Sequence, residues 1–235
     1  MTKTKQQSEK ALEDWERGRA AEEPGSDSQE RSESRESWKL ERDMETSREK
    51  LIIIDVDGVI RNLDEPLCAR AGVDYPPTDV EVWKSLYQKT LAGMRAEDVK
   101  YLYATAISYE RDTTAQAVLE MSQHPKITVW LATAAYFSNS SREGTDLFLN
   151  RNNLSHLLRC KADTTAEKIK WIQNVCSEME LLENYDIIVI DDYRGVLTEI
   201  PPTVRRVQVK HTKWEEKPIV GCERLPWIEG IDFWN

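Results

Sequence analysis

Leu51-Ile52-Ile53-Ile54-Asp55-Val56-Asp57-Gly58-Val59-Ile60 joins an uncharged apolar run to two aspartates and a glycine. It reads as a buried strand that delivers two carboxylates to its C-terminal tip. In open α/β sheets ligands gather in the crevice beyond the carboxyl ends of parallel strands, so acids placed there point to chemistry rather than to a solvated surface. Tyr185-Asp186-Ile187-Ile188-Val189-Ile190-Asp191-Asp192 repeats the design later in the chain, an apolar strand ending in adjacent acids. Four carboxylates converging on one sheet edge repel each other unless a cation sits among them, and an oxygen-rich site of this kind suits Mg²⁺. The sequence therefore predicts a magnesium site.

Between and after these runs the pattern alternates. Val80, Val82, Trp83, Leu86 and Tyr87 have helical spacing after Pro76-Pro77-Thr78-Asp79, which resembles a helix start. Two further helices are expected, over Ala96 to about Tyr109 and Thr113 to Ser122. Ile127 to Ala132 reads as a second buried strand, ending in Thr133. Thr164-Thr165-Ala166-Glu167 opens a helix with Ile169, Trp171, Ile172 and Val175 on its apolar side, and the Asp191 strand follows. Strands alternating with helices imply a parallel, Rossmann-like sheet with helices on both faces, an α/β fold.

The 235 residues leave room for one sizeable α/β domain plus a small accessory element. Met1 to about Glu49 is rich in Glu, Ser, Arg, Lys and Gln and poor in apolar residues, so it reads as a disordered tail (1–49) ahead of a folded domain (50–235). Trp15 and Trp38 are the tail residues able to anchor a protein partner. A net charge of −10 argues against general nucleic-acid binding, although a local basic cleft is compatible with it. Cys68, Cys160, Cys176 and Cys222 are widely spaced with no Cys-x-x-Cys pair, which suits reduced core thiols. No stretch approaches a membrane span or a signal peptide, and the expectation is a soluble, cytoplasmic protein.

Four of these features, in order, resemble the motifs of the haloacid dehalogenase-like superfamily, whose members are mostly phosphatases. Asp55-Val56-Asp57-Gly58-Val59 is similar to its Asp-x-Asp-Gly motif, Thr133 to the Thr or Ser ending the second strand, Lys168 to its lysine at a helix start, and Asp191-Asp192 to its acidic pair. Lys161 and Lys170 are alternatives for the lysine; the position of Lys168 in a first turn favours it.

The resemblance implies a mechanism. Asp55 is then the nucleophile, forming an aspartyl-phosphate, and Asp57 the acid that protonates the leaving oxygen and afterwards the base that activates water. Thr133 and Lys168 hold the phosphoryl oxygens. Asp55, the main-chain carbonyl of Asp57, Asp191 and Asp192 hold Mg²⁺. Such sharing suits a reaction whose acceleration reaches up to ~10²¹-fold, roughly 29 kcal/mol.

The interval between Asp57 and Thr133 exceeds what a strand and one return helix require. In this superfamily an insertion there is a small helical cap of the first type, expected here at about 63–110, and capped relatives act on small molecules. The reading is a Mg²⁺-dependent phosphomonoester hydrolase acting on a small phosphorylated metabolite, with nucleotides among the candidates. A phosphatase for polynucleotide or protein ends and a non-catalytic binding module are the alternatives.

Overall fold

The computed structural model describes residues 48–77, 79–108, 113–209, 217–226 and 228. The tail expected over 1–49, with Trp15 and Trp38, lies outside the described residues except for its last two positions. Asp191 and the residues of every other motif lie within them.

The architecture is an α/β sheet of six parallel strands with helices on both faces. The strands are β1 (Glu49–Asp55), β2 (Ile127–Thr133), β3 (Leu158–Lys161), β4 (Tyr185–Asp191), β5 (Arg205–Val209) and β6 (Cys222–Leu225). Their order is β3-β2-β1-β4-β5-β6, so the connection reverses direction at β1. That reversal puts the crevice of an open sheet at the tips of β1 and β4, where both acidic runs end.

β1 is central because its side chains can be buried on both faces. Ile52 and Ile54 join Val118, Phe148 and Leu149 in one core, while Leu51 and Ile53 join Ile172, Val175, Val196 and Leu197 in the other. These four β1 residues have no exposed surface. Burial of each is worth about 1.5–3 kcal/mol as an upper bound, which is why an alternating polar strand could not occupy this position.

Four helices pack directly on the sheet's two sides or close its connections: α4 (Thr113–Ser122), α5 (Asn139–Arg151), α6 (Thr165–Ser177) and the short α8 (Arg194–Leu197), with α7 (Met179–Asn184) leading into β4. Their starts have local causes. Ser138 and Ser141 form a reciprocal capping box for α5, and the Thr164 side chain accepts from the Glu167 amide at the start of α6.

Between β1 and α4 lies an inserted unit of α1 (Asp64–Ala71), α2 (Val80–Ser85, continued by a π-helical turn Leu86–Leu91) and α3 (Ala96–Thr105). It has its own small core of Leu63, Leu67, Leu86, Leu91, Val99 and Leu102. The chain enters and leaves it side by side: the Asn62 amide donates to the Ile107 carbonyl at 2.9 Å, and Arg61 bridges Ser108 in antiparallel fashion. This pairing explains one departure from expectation. The helix expected to reach about Tyr109 stops at Thr105, because Ala106 to Ser108 are drawn out into the paired connection. Helix α3 also lies hard against α5: a β-carbon at Gly144 would come within 2.5 Å of Tyr103 Cβ and 2.7 Å of the Lys100 carbonyl oxygen. Only glycine permits that approach.

The described cysteines are all unpaired with one another, and Cys68, Cys160 and Cys176 are buried. Among the described residues no helix is long and apolar enough to cross a membrane.

Candidate active site

Asp55 ends β1 and Asp191 ends β4, adjacent parallel strands, so register alone brings their carboxylates together. Asp192 joins them from the following residue. Each of the three offers a carboxylate oxygen within 4.8 Å of the others'. The approach of Asp192 depends on Gly58, which has φ +87° and where a β-carbon would lie 2.1 Å from Asp192 Oδ2. The glycine thus serves two purposes: a left-handed backbone, and space for a carboxylate.

Of Lys161, Lys168 and Lys170, it is Lys168 that lies beside the acids. It is buried in the first turn of α6 with Nζ 2.7 Å from both Asp55 Oδ2 and Asp191 Oδ2. Lys161 and Lys170 are exposed. The Lys168 ammonium is the one partner of Asp191 Oδ2 among the described residues. Asp191 Oδ1 accepts from the Tyr193 amide at 2.8 Å.

One ammonium does not balance three acids. Burial pushes the Asp55 carboxyl up to about 8, with Lys168 opposing and Asp191 and Asp57 adding to the rise. Asp192 is raised well above the ordinary carboxylate range by burial, then by Asp191 and Asp55. Burial works against the charge on Lys168, but Asp191 and Asp55 more than offset it and hold its pKa above the usual value. A small hard divalent cation fits this donor set: the ligands are all oxygen and close enough to share one ion.

Asp57 is placed differently from the other acids. Its carboxylate is not part of the gathered trio. Oδ1 contacts Arg61 through Nε at 2.7 Å and Nη2 at 2.6 Å, and Oδ2 accepts from the Thr133 hydroxyl at 3.3 Å. The Asp57 side chain thus stands apart from the trio, paired with Arg61 and Thr133. Thr133, fully buried, accepts in turn from the Ala135 amide at 3.1 Å. Its hydroxyl proton is therefore engaged with Asp57, and holding a phosphoryl oxygen requires that the hydroxyl exchange this partner.

Above the acids lies a cavity of about 620 Å³. Asp55, Asp57, Lys168 and Asp192 line it together with Trp83 and Tyr87 from the insertion and Phe137 and Tyr193 from loops after β2 and β4. The Trp83 and Tyr193 rings stack at 6.1 Å with 23° between their planes, and Trp83 meets Tyr87 at 5.2 Å. Beneath them Asp64, raised by burial, accepts from the Tyr87 hydroxyl at 2.7 Å. Of the insertion's other tyrosines, Tyr103 also lines the cavity, Tyr101 is exposed, and the Tyr75 hydroxyl meets Asn62.

Arg61, Phe137 and Tyr193 are site residues that sequence reasoning does not single out. Arg61 has a detectable signal, a lone charge beside Val59, Ile60 and Leu63 and four residues after Asp57. Phe137 and Tyr193 have only their nearness to Thr133 and Asp192.

No family model and no curated protein matches the chain. Solved structures similar to it include CbbY from Rhodobacter sphaeroides in complex with phosphate, 15% identical, covering 75% of this chain and 92% of that one at a TM-score of 0.49. The putative HAD-hydrolase YfnB from Bacillus subtilis bound to magnesium is 11% identical, over 78% and 96% of the two chains, at 0.44. A chain of the Pnkp1/Rnl/Hen1 complex is 15% identical, over 73% of this chain and 48% of that one, at 0.40. Likeness of this degree carries neither an activity nor a substrate to the present chain.

Proposed function

We propose that this chain is a Mg²⁺-dependent phosphomonoester hydrolase working through an aspartyl-phosphate on Asp55. The observation that carries the reading is the trio Asp55, Asp191 and Asp192 around the buried ammonium of Lys168 at the crevice of the sheet. Two apolar strands spend their termini on acids that burial disfavours, an arrangement that costs stability and makes sense as a site.

The chain's own groups divide the work. Asp55 attacks phosphorus as the ester oxygen departs, and Asp57 supplies that oxygen with a proton; water then attacks the aspartyl-phosphate, giving its proton back to Asp57, and phosphate is released. Lys168 restrains the Asp55 carboxylate and offers positive charge to the transferring group. Thr133, whose hydroxyl donates to Asp57 and accepts from the Ala135 amide, is the neutral donor offered to a phosphoryl oxygen. Asp55, Asp191 and Asp192 would hold the cation, whose charge would offset repulsion between an anionic ester and an anionic nucleophile.

The inserted helices support a small substrate. Leu63, Trp83, Tyr87, Leu91 and Tyr103 come from the insertion and its entry and wall the cavity on that side, so a folded polymer end has less room than a metabolite. The aromatic wall suits a planar group, which places nucleotides and aryl phosphates first in line for testing.

The deciding experiment is phosphate release from nucleotides, sugar phosphates and end-phosphorylated oligonucleotides, with Mg²⁺ and in excess chelator. Release from one or more small esters, abolished by chelation, is expected. Failure to hydrolyse any of them with Mg²⁺ present, or an undiminished rate in chelator, overturns the reading.

A further inference from the structure

Arg61 has no exposed surface, which is rare for the most polar of side chains and demands that every part of it be accounted for. It stands at the point where the chain leaves the sheet for the insertion. A tight turn brings it there: the Arg61 amide donates to the Val56 carbonyl at 2.7 Å and its own carbonyl accepts from the Gly58 amide at 3.0 Å. Asp57 and Arg61 are thereby made neighbours through four residues of backbone.

The guanidinium then reaches three separate elements. Nε and Nη2 both contact one oxygen of Asp57, Oδ1, at 2.7 and 2.6 Å. Nη1 donates to the main-chain carbonyl of Tyr103 in α3, at 3.1 Å. Nη2 also donates to Thr145 Oγ1 in α5, at 3.1 Å. Its flat faces meet the rings of Tyr103, 4.6 Å from the centroid, and Phe148, 5.0 Å away. A guanidinium held in its plane by three acceptors and across its plane by two rings has no rotational freedom left.

This fixes which oxygen of Asp57 is available. Oδ1 accepts from Nε and is in ion-pair contact with Nη2, which together keep it from accepting or surrendering a proton. Oδ2 is left, touched only by the Thr133 hydroxyl at 3.3 Å. We propose that Arg61 is the positioning residue of the acid–base step: it pins Asp57 Oδ1, so that Oδ2 alone exchanges the proton with the ester oxygen and then with water. Through Tyr103 it also registers that carboxylate to the inserted helices that wall the cavity. In the first half-reaction Asp55 bonds to phosphorus as the ester P–O bond breaks, and the proton on Oδ2 passes to the departing oxygen. In the second, water's oxygen bonds to phosphorus as the Asp55–phosphorus bond breaks, and water's proton returns to Oδ2.

The inference rests on the phosphatase reading, and the test separates the two. Full-length wild type, Arg61→Lys, Arg61→Met and Thr145→Val are assayed with Mg²⁺ on an alkyl phosphate and on nitrophenyl phosphate, with folding checked by melting. The alkyl ester needs its leaving oxygen protonated and the nitrophenyl ester barely does. General acid–base help is worth about 10²–10⁴-fold, so Arg61→Lys and Arg61→Met should lose roughly that range on the alkyl ester and only a few-fold on the nitrophenyl ester. Thr145→Val keeps the guanidinium and removes one of its acceptors; it should show a smaller loss with the same bias, and it carries the test if the arginine variants do not fold. Equal losses on both esters overturn the positioning role while leaving the phosphatase reading intact. Inactive wild type overturns the phosphatase reading. The crystal structure of Arg61→Lys supplies a readout independent of activity: Asp57 is expected to leave Thr133, and a carboxylate that keeps its present orientation refutes the proposal.

Discussion

Replacing Lys168 by methionine tests the electrostatics of the site most directly. The side chain is buried, its Nζ is 2.7 Å from two carboxylates, and methionine replaces its aliphatic stem while removing the ammonium. Breaking a buried ion pair by deleting one partner costs about 3–5 kcal/mol, because the remaining charge is left uncompensated. For a domain of this size each kcal/mol moves Tm by about 2–4 °C, so the variant in chelator should melt on the order of 10 °C below wild type. The deficit must depend on pH. The Asp55 carboxyl stands at about 8 when folded against an ordinary 3.8, and removing Lys168 takes away the group that restrains the rise. A carboxyl raised on folding stabilises the native state at low pH, and that contribution is lost as pH climbs through the folded value. At pH 5 Asp55 therefore carries a proton in both folded proteins and contributes little to their difference; at pH 9 wild type holds its carboxylate against an ammonium and the variant does not. Scanning calorimetry in chelator at both pH values should show a markedly larger gap at pH 9. Mg²⁺ should close part of it, and Lys161→Met and Lys170→Met, at exposed positions, should stay within about 0.5 kcal/mol of wild type. A Lys168→Met protein within 2 °C of wild type at pH 9 in chelator, by the ~2–4 °C per kcal/mol scale, would refute the coupling of these three groups.

Mg²⁺ at one fixed concentration, about 100 times its Kd at pH 8, should raise wild-type Tm by roughly 5–10 °C at pH 8 and by less at pH 5, because protons compete for Asp55 and Asp192, whose pKa values are raised; a gain independent of pH contradicts the carboxylate site. Asp55→Asn should end turnover without lowering Tm in chelator, since an amide cannot attack phosphorus and replaces an acid that burial disfavours; appreciable turnover with deamidation excluded removes Asp55 as nucleophile. Gly58→Ala should cost about 1–2 kcal/mol for the left-handed backbone and displace Asp192, weakening Mg²⁺ binding at least tenfold by calorimetric titration; unchanged affinity shows that Asp192 is not a ligand.

What is legible in the sequence is what the chain dictates locally. The runs before Asp55 and Asp191 could only be buried strands, and parallel pairing at the centre of the sheet then brings their acids together without further information. Thr164 and Glu167 announce α6, and its first turn puts Lys168 where the carboxylates are. Helix α1 escapes such a reading: Pro66 in its first turn is compatible with a helix, but the eight residues carry only Leu67 and Cys68 as buried apolar groups, too few to show a period. The early end of α3 escapes it for a different reason, because Ala106 and Ile107 suit a helix and only the pairing of Ile107 with Asn62 and of Ser108 with Arg61, more than forty residues earlier, draws the segment out. Arg61 belongs to the same class. Its spacing from Asp57 is local, but its partners Tyr103 and Thr145 are 42 and 84 residues away. The cavity wall is assembled in the same way, with Trp83, Phe137 and Tyr193 each on a separate element. The acids proposed to react are thus written at strand ends, where a short window reveals them, while the groups proposed to orient Asp57 and those that shape the cavity come together only as the insertion folds back on the sheet. Substitutions at the strand tips should therefore abolish chemistry whatever the ester, whereas those along the Arg61–Tyr103–Thr145 connection should change which esters are turned over, a division that follows from the two length scales on which the site is encoded.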